Sequence, residues 1–397
     1  MNSINEALQD ICYIWWDEMK QTVKDEGMLI FFFLVPLLYP LLYSWIYNNE
    51  VVREVPVVIV DDSHSQLSRE FARMCDAAPD VKILSYAADL DEAKSLLSRQ
   101  VARGIYYFPP DFDTRVNRME QATVSVYCDM SLMLCYKAVF QTAQTVSSLM
   151  GTAIQNRLSG HFTKREEQVS AMPLAFEEVP VFNPTGGYGS FIIPAVLILI
   201  IQQTLVLGIG LSAGTARERN RNRNLIPVSS HYHGMFRIVM GKALVYLMIY
   251  AVMTAYLVLL VPRLFGFTAV GHWTDLALFL FPYLLSSIFF GMAVSCLVRY
   301  RENVMLLVVF LSVPLLFLSG ASWPQSSIPG FWQGISWLFP STFAVRGFIR
   351  INEMGALLGD VLTEYHILWL HTLVYFILAC LVYRQQVSMA RREDCLP

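Results

Sequence analysis

Charged side chains are scarce in this chain. They make up 15% of its 397 residues, whereas a soluble globular chain is nearer a quarter charged. Hydrophobic residues make up 55%, so the composition excludes an ordinary soluble protein and indicates an integral membrane protein with some soluble mass. The formal net charge of -3 is too small to indicate a nucleic-acid partner.

The sequence also lacks the motifs of common catalytic and cofactor sites. It contains no P-loop, so the chain cannot power itself with ATP, and no nucleophile–base constellation. The spacing of its seven cysteines fits no zinc pattern. Cys75, Cys128 and Cys135 allow one disulfide, although buried free thiols are the interpretation we favour. We therefore expect no enzyme and no cofactor or metal in this chain.

Six apolar runs are long enough to cross a bilayer, which takes about 20 helical residues. The first run follows an acidic N-terminus and has no small-residue cleavage site, so we expect a retained span rather than a signal peptide. The runs cover residues 28–47, 190–213, 236–261, 276–298, 304–318 and 365–383. The sequence therefore predicts an α-helical polytopic membrane protein with six transmembrane helices, the last five lying within residues 188–383.

Arginine and lysine predict which side of the membrane each loop occupies. They cluster in the loop after the second run, in the turn between the fourth and fifth runs, and in the tail 384–397. With six spans these segments share one side, and the positive-inside rule makes that side the cytoplasm. We therefore expect a multi-pass protein of the bacterial inner (cytoplasmic) membrane, with cytoplasmic N- and C-termini and a cytoplasmic tail.

Residues 1–27 have the pattern of an amphipathic helix. The apolar residues that recur every three or four positions are Ile4, Leu8, Ile11, Trp15, Met19 and Val23. One interpretation is an interfacial helix that lies among the membrane lipids on the inner surface. The alternative is an ordinary amphipathic helix packed on another subunit.

Residues 48–187 leave the membrane between the first two runs, and on this topology they are extracytoplasmic. The predicted strands cover 55–62, 81–86, 104–108 and 122–128, and the predicted helices cover 65–78, 89–100 and about 130–158. Strands that alternate with helices are typical of a small α/β domain. We therefore expect an inserted extracytoplasmic α/β domain.

A cationic loop, residues 214–235, follows the second run and contains ARERNRNRNLIP. Membrane topology alone explains the arginines of this loop. It explains Glu218 and the apolar pair Leu225 and Ile226 less well, whereas a short amphipathic element docking on a cytoplasmic partner would use them all. The candidate coupling residues are Arg217, Glu218, Arg219, Arg221 and Arg223.

Residues 319–350 are too polar for one span and too apolar for a free loop. Non-helical backbone is tolerated at membrane depth only where protein or water covers it. We therefore expect a re-entrant outer segment of two short helices, broken at its prolines. The residues that mark this segment are Gly320, Pro324, Pro329, Pro340 and Arg346.

Polar side chains of the second run are candidates for a substrate path. Gln202 and Gln203 lie in its middle, and Tyr188 lies at its outer mouth. Polar residues inside a membrane are costly and often functional. Ordinary hydrogen bonding between helices explains the two glutamines equally well.

Taken in order, several segments resemble the ABC type-2 export permeases, in the branch with a large extracytoplasmic domain after the first span. The segments are VPVVIVDDSHSQLSREF, DLDEAKSLLSRQVARGIYYFPPDF, FNPTGGYGSFIIPAVL, and the series Ser319-Gly320, Pro324, Pro329, Pro340 and Arg346. The resemblance covers nearly the whole chain. It departs in TARERNRNRN, where many relatives carry an acid-rich run, so only Glu218 matches the family's coupling glutamate.

The resemblance implies a transmembrane permease subunit of an ATP-driven exporter. Separate ATP-binding cassette ATPase subunits would hold ATP and Mg, and a second permease chain, in a homodimer or a paralogous heterodimer, would complete the path. Members of this branch often operate with a periplasmic adaptor, and an outer-membrane channel would be a further partner. The cargo would be an amphiphilic or drug-like substrate, a lipid or a polymer.

The alternative is an ABC-linked mechanical transmitter that drives an outer domain or a periplasmic partner without passing substrate through the membrane. Proteins of that class have fewer spans than the six predicted here.

Overall fold

Two units make up the structure, a computed structural model that describes residues 2–48, 50–118, 120–159, 181–183, 186–220, 224–227, 232, 234–296 and 300–394. One unit contains Met1–Glu50 and Pro180–Pro397, and the other contains Val51–Val179. The first is a helical bundle and the second is an α/β domain.

Six helices of the described residues are long and apolar enough to cross a membrane. We number them spans 1 to 6: Glu26–Ile46, Tyr188–Arg219, Met235–Phe265, Trp273–Ser295, Arg301–Leu318 and Leu358–Met389. The predicted polytopic helical architecture with an inserted α/β domain is thus confirmed. Span 2 is longer than its apolar run, because residues 214–219, expected in a loop, continue the helix.

Span 2 lies at the centre of the bundle. Its most apolar stretch is 89% buried, against 22% for the corresponding stretches of spans 1 and 5. Two glycines permit this close packing. A Cβ atom at Gly208 would lie 2.1 Å from Phe32 of span 1, and one at Gly210 would lie 2.4 Å from Val304 of span 5. Spans 1 and 5 therefore pack tightly on span 2 while their other faces stay open.

Spans 1 and 3 each contain a widened helical turn beside a proline. The widened turns are Ile30–Leu34 and Tyr256–Leu260, and Pro36 and Pro262 follow them. Proline cannot donate the hydrogen bond to the residue four positions back, and its ring clashes with that carbonyl. A turn of the π type relieves the clash, so both helices continue past their prolines.

A helix of 23 residues, Asn2–Lys24 (α1), precedes span 1 and packs on span 3. The buried residues of its bundle-facing side are Asp10, Ile14, Glu18 and Thr22. This side is largely polar and only partly overlaps the apolar stripe recognised in the sequence, of which Trp15 and Met19 also pack against the bundle core. Leu8 and Val23 of that stripe are more than half exposed. Their contact with lipid stays a prediction.

The segment between spans 5 and 6 breaks at three prolines. Pro324 precedes the 3₁₀ turn Gln325–Ser327, and Pro329 precedes the helix Gly330–Ser336. We number this helix α6, because α2 to α5 are the helices of the inserted domain described below. Pro340 is the first residue of the helix Pro340–Asn352, which we call α7. Proline suits a first helical turn because that position needs no N–H donor.

The inserted domain contains a four-stranded sheet with strand order β2-β1-β3-β4. The strands are β1 Val55–Asp61, β2 Val81–Ala87, β3 Gly104–Phe108 and β4 Ser125–Cys128. The helices are α2 Gln66–Asp76, α3 Leu90–Ser98, α4 Phe112–Asn117 and α5 Met133–Ser159. β1 is parallel to β2 and β3, whereas β4 is antiparallel to β3. The short α4 was not expected from the sequence.

The central strand of this sheet is buried on both faces. Val57 and Ile59 belong to a core that includes Phe71 of α2, whereas Val58 and Val60 face a second core on the α3 side. Successive side chains of a strand point to opposite faces, and helices cover both. This explains why the run VPVVIV is continuously apolar.

The cysteines of this domain are free thiols. Burial raises the pKa of the Cys75 thiol to about 12, so it stays protonated and unreactive at neutral pH. Cys128 and Cys135 are half-buried.

We expect Gly208→Ala to destabilise the bundle. Phe32 cannot move aside, because it is fully buried and its ring packs on Tyr246 and Tyr250. Overpacking of this kind costs about 1–3 kcal/mol. The control is Gly334→Ala in α6, where an added Cβ meets nothing within 4 Å. Thermal unfolding of the purified protein in detergent should show a lower Tm for the first variant only, and equal Tm values would contradict the tight packing.

Candidate functional site

One end of the bundle carries Arg217, Arg237 and Arg301, and we call it the basic end. Arg217 lies in the last turn of span 2, Arg237 in the first turn of span 3, and Arg301 starts span 5. The guanidinium of Arg217 is buried and donates to the backbone carbonyl of Cys296, just beyond span 4, at 2.8 Å. Four spans therefore meet at this end.

Acidic residues of the N-terminal segment bind the basic end. Asp10 forms an ion pair with Arg237 at 2.5 Å. Tyr232 lies just before span 3, and its hydroxyl donates a hydrogen bond to the carboxylate of Asp17 at 3.0 Å. Together with Glu18 and Asp25, these two acids occupy positions 10, 17, 18 and 25, so the acids recur about every seven residues, or two helical turns. They therefore lie along one side of the segment.

Glu18 is the most buried of these acids. Ser212 of span 2 donates to its carboxylate at 2.6 Å, Lys242 of span 3 donates at 2.6 Å, and the hydroxyl of Tyr246 also donates to it. Burial alone would raise the pKa of Glu18, but the charge of Lys242 and the three donors outweigh it and hold the pKa below its usual value. The charged carboxylate thus joins α1 to spans 2 and 3.

Asp25 joins the starts of spans 1 and 5 to the end of span 2. Its carboxylate accepts from the backbone N–H groups of Gly27 and Met28, at 2.9 and 3.1 Å, and so caps span 1. It also accepts from Thr215 at 2.8 Å and from Arg301 at 2.6 Å. Burial opposes ionisation, yet these donors and the charge of Arg301 lower the pKa of Asp25.

The sequence interpretation missed this connection between α1 and the bundle. Lys242 lies seven residues inside span 3, within a run that the sequence predicted to cross the membrane. A cation buried in a span signals an acidic partner. That signal, together with acids repeating along α1, could have indicated the contact.

The predicted coupling residues have different surroundings. Arg217 is buried in the bundle, whereas Glu218 and Arg219 are exposed in the last turn of span 2. The predicted residues outside the described part of the chain are Arg221 and Arg223. Leu225 and Ile226 are only 1% and 3% exposed, because they belong to the core of this bundle. The interpretation that these two residues dock on a partner is therefore wrong.

A groove lies along the open side of spans 1, 2 and 5, with a volume of about 630 Å³. We call it the tyrosine groove, because its most regular feature is a series of tyrosines. The series is Tyr39 and Tyr43 of span 1, Tyr47 just beyond the end of span 1, and Tyr188 of span 2. The ring centroids of successive members lie 4.7, 6.1 and 5.5 Å apart. Spacing of four residues along span 1 places these rings on one helical face.

The residues predicted for a substrate path separate into two groups. Tyr188 and Gln203 line the tyrosine groove. The Nε2 atom of Gln203 has no hydrogen-bond partner among the described residues. Gln202 points elsewhere: it is 2% exposed, and its Oε1 accepts from the backbone N–H of Ser341 in α7 at 2.8 Å.

This contact places the start of α7 in the middle of the bundle. Gln202 is 14 residues beyond Tyr188, the first residue of span 2, which is about 21 Å at 1.5 Å per residue. The N–H groups of the first turn of α7 are all accounted for. Pro340 has none, that of Ser341 binds Gln202, and that of Thr342 binds the Phe339 carbonyl at 3.1 Å. This half-helix therefore depends on Gln202 as its cap.

Of the other residues that mark this segment, Gly320 lies beside Arg346. Its guanidinium lies over the ring of Phe343, 5.3 Å from the centroid, and its Nε and Nη2 have no hydrogen-bond partner in the described part of the chain. Gly320 has a φ of +86°, which favours glycine, and a Cβ there would lie 3.8 Å from Nε of Arg346. Arg350 forms an ion pair with Glu364 at 3.3 Å.

A bundle of membrane-spanning helices with an inserted domain, a half-helix and a charged end is the arrangement of a polytopic transport protein. The chain belongs to the ABC-2 family transporter proteins, whose sequence model matches residues 27–381. It is therefore the permease subunit of an ABC transporter, a class that works with ABC ATPase subunits. No curated protein matches the chain significantly.

We expect Glu18→Ala to destabilise the protein by about 3–5 kcal/mol, because it leaves the buried ammonium of Lys242 without its partner. Replacing both residues, with Glu18→Leu and Lys242→Met, should recover most of that loss. The depressed pKa of Glu18 also predicts that the stabilisation is present above pH 4.5, the value of the free group, and is lost as the pH falls below it. Thermal unfolding of the unaltered protein and of these two variants in detergent tests this, and a double variant no more stable than the single one would contradict it.

Gln202→Leu and Gln203→Leu form a matched pair. The first leaves a buried N–H of α7 without an acceptor and should cost about 1–3 kcal/mol. The second removes a side chain whose Nε2 is already unpaired, so it should leave the unfolding temperature unchanged or raise it. Equal losses in the two variants would show that Gln202 does not hold α7.

Proposed function

We propose that this chain is the permease subunit of an exporter that moves an amphiphilic or drug-like substrate out of the cytoplasm or inner membrane. ATP would be hydrolysed by separate ATPase subunits, because the sequence contains no P-loop. The observation that carries the proposal is the tyrosine groove, which offers about 630 Å³ of mostly apolar space along spans 1, 2 and 5. Small-molecule sites commonly have volumes of about 300–1,000 Å³.

The open faces of spans 1 and 5 support a paired arrangement. Large apolar side chains such as Leu38 of span 1 and Phe310 of span 5 are at least half exposed in the single chain. A second permease chain, identical or paralogous, would cover part of these faces and enclose the groove. Lipid would cover the rest.

The basic end supports a route for ATPase motion into the bundle. Glu218 and Arg219 are exposed where span 2 ends, and Arg217 beside them links span 2 to the end of span 4. Force applied to this turn would act directly on the central helix. We therefore keep Glu218 and Arg219, with Arg221 and Arg223, as the proposed contacts with the ATPase.

The positive-inside rule supports the orientation of this assembly. It places the basic end in the cytoplasm, together with both termini, and the inserted domain outside. The protein would then lie in a bacterial inner membrane, and the inserted domain would face a periplasmic adaptor and an outer-membrane channel.

The experiment is reconstitution of the chain with its ATPase subunit in inside-out vesicles, with uptake of a fluorescent amphiphile as the measure of export. Glu218→Ala should lower ATP-driven uptake by about fivefold or more, the lower end of typical coupling energies. The chain should still insert, because the arginines remain. The control is Glu302→Ala, which removes another exposed acid from the basic end, at the start of span 5.

ATP hydrolysis that responds to the permease while no amphiphile enters the vesicles would contradict export and favour the mechanical transmitter. Unchanged uptake in Glu218→Ala at normal expression would contradict the role of Glu218 alone.

A further inference from the structure

We infer that the tyrosine groove selects cationic or uncharged aromatic amphiphiles over anionic ones. The inference rests on the proposed function only for the role of the groove as part of a transport path. Its basis is the series Tyr39, Tyr43, Tyr47 and Tyr188, together with the charges around it.

The tyrosine series presents a column of aromatic rings to the groove. Successive centroids lie within 6.1 Å of each other, and the hydroxyl of Tyr39 donates to that of Tyr43 at 3.1 Å. An aromatic ring carries negative charge on its face and attracts a cation within about 6 Å of its centroid. A cationic head could therefore pass from one ring to the next while an apolar tail stays against the aliphatic wall.

The described lining of the groove contains no basic side chain, and an acidic residue lies at the end of the tyrosine series. Beside Tyr188, at the end of the series, lies Glu50: its backbone carbonyl accepts from the N–H of Tyr188 at 3.0 Å, and its carboxylate accepts from the hydroxyl of Ser190. An anionic head would meet ring faces and a carboxylate here, and the described lining of the groove offers it no basic side chain.

Gln203 adds one polar contact inside the groove. Its amide Nε2 has no hydrogen-bond partner in the described residues. A ligand oxygen, such as an ether or ester, would pair with this donor. The occupant that fits is thus an aromatic amphiphile with a cationic or neutral head and few acceptor atoms.

The test uses the full chain in nanodiscs of phosphatidylcholine, whose zwitterionic surface does not concentrate either ion. The probes are benzyldimethyldodecylammonium, benzyl dodecyl ether and dodecylbenzenesulfonate, which share an aromatic ring and a chain length but differ in charge. Binding is measured by titration calorimetry, with the signal of empty nanodiscs subtracted. The cation and the ether should bind more tightly than the sulfonate.

Variants of one groove residue assign the preference to the rings. Tyr43→Leu should weaken binding of the ammonium probe by about twofold to thirtyfold, the range of cation–π energies, and change the sulfonate little. Tyr43→Phe keeps a ring and should retain most of the binding. The control is Tyr365→Leu in span 6, whose ring packs on Trp369 rather than lining the groove.

Equal affinity for the three probes in the unaltered chain would overturn the inference, and this comparison needs no variant to fold. Equal weakening of all three probes in Tyr43→Leu would also overturn it, by showing that apolar contact alone binds them. Lipid that permanently fills the groove would appear as binding that is insensitive to Tyr43→Leu, which again counts against it.

Addition of the ATPase subunit separates this inference from the proposed function. Charge-selective binding without stimulated ATP hydrolysis or export would leave the groove's selectivity standing and remove its transport role. Export that responds equally to cationic and anionic probes would leave the exporter standing and remove the selectivity.

Discussion

The bundle depends on one constraint: a polar group in its apolar interior is costly unless it has a partner inside the protein. The carboxylate of Glu18 satisfies it with donors from spans 2 and 3. The amide of Gln202 satisfies it with the first turn of α7, and the hydroxyl of Tyr283 in span 4 donates to the Ile198 carbonyl of span 2 at 2.6 Å. Each of these bonds joins two elements distant in sequence, so the polar residues decide which apolar helices meet and in what register.

At the basic end this constraint turns separate helix ends into one connected set. α1 is not an accessory to the bundle, because Glu18 holds it against spans 2 and 3 while Asp25 holds spans 1, 2 and 5 together. Buried ion pairs of this kind resist separation, since either charge alone would be costly in an apolar interior. A displacement of the turn at Glu218 would therefore be shared by several spans rather than absorbed by one loop.

The open side of spans 1, 2 and 5 follows a different rule. Spans 1 and 5 keep exposed apolar side chains, and the tyrosine groove is lined mostly by aliphatic and aromatic side chains. Aromatic rings can contact many ligands of similar shape without a matching set of donors and acceptors. In the proposed function, the charged contacts at the basic end would receive force from the ATPase, and the groove at the side would receive cargo.

Much of this architecture was determined by the sequence alone. Long apolar runs predicted the six spans, alternating patterns predicted the α/β domain, and Pro324, Pro329 and Pro340 marked where helices cannot continue. These features are local, because proline geometry and the length needed to cross a bilayer do not depend on neighbours.

The partners of the polar residues were decided only by the tertiary structure. The periodicity of α1 drew attention to its apolar stripe, yet the polar side carrying Glu18 contacts the bundle. Gln202 and Gln203 are adjacent and identical, yet one caps α7 and the other lines the groove. Leu225 and Ile226 suited a docking surface equally well but lie in the core. A sequence shows which side chains lie on the same face of a helix. Which other helix packs against that face depends on how all the helices pack.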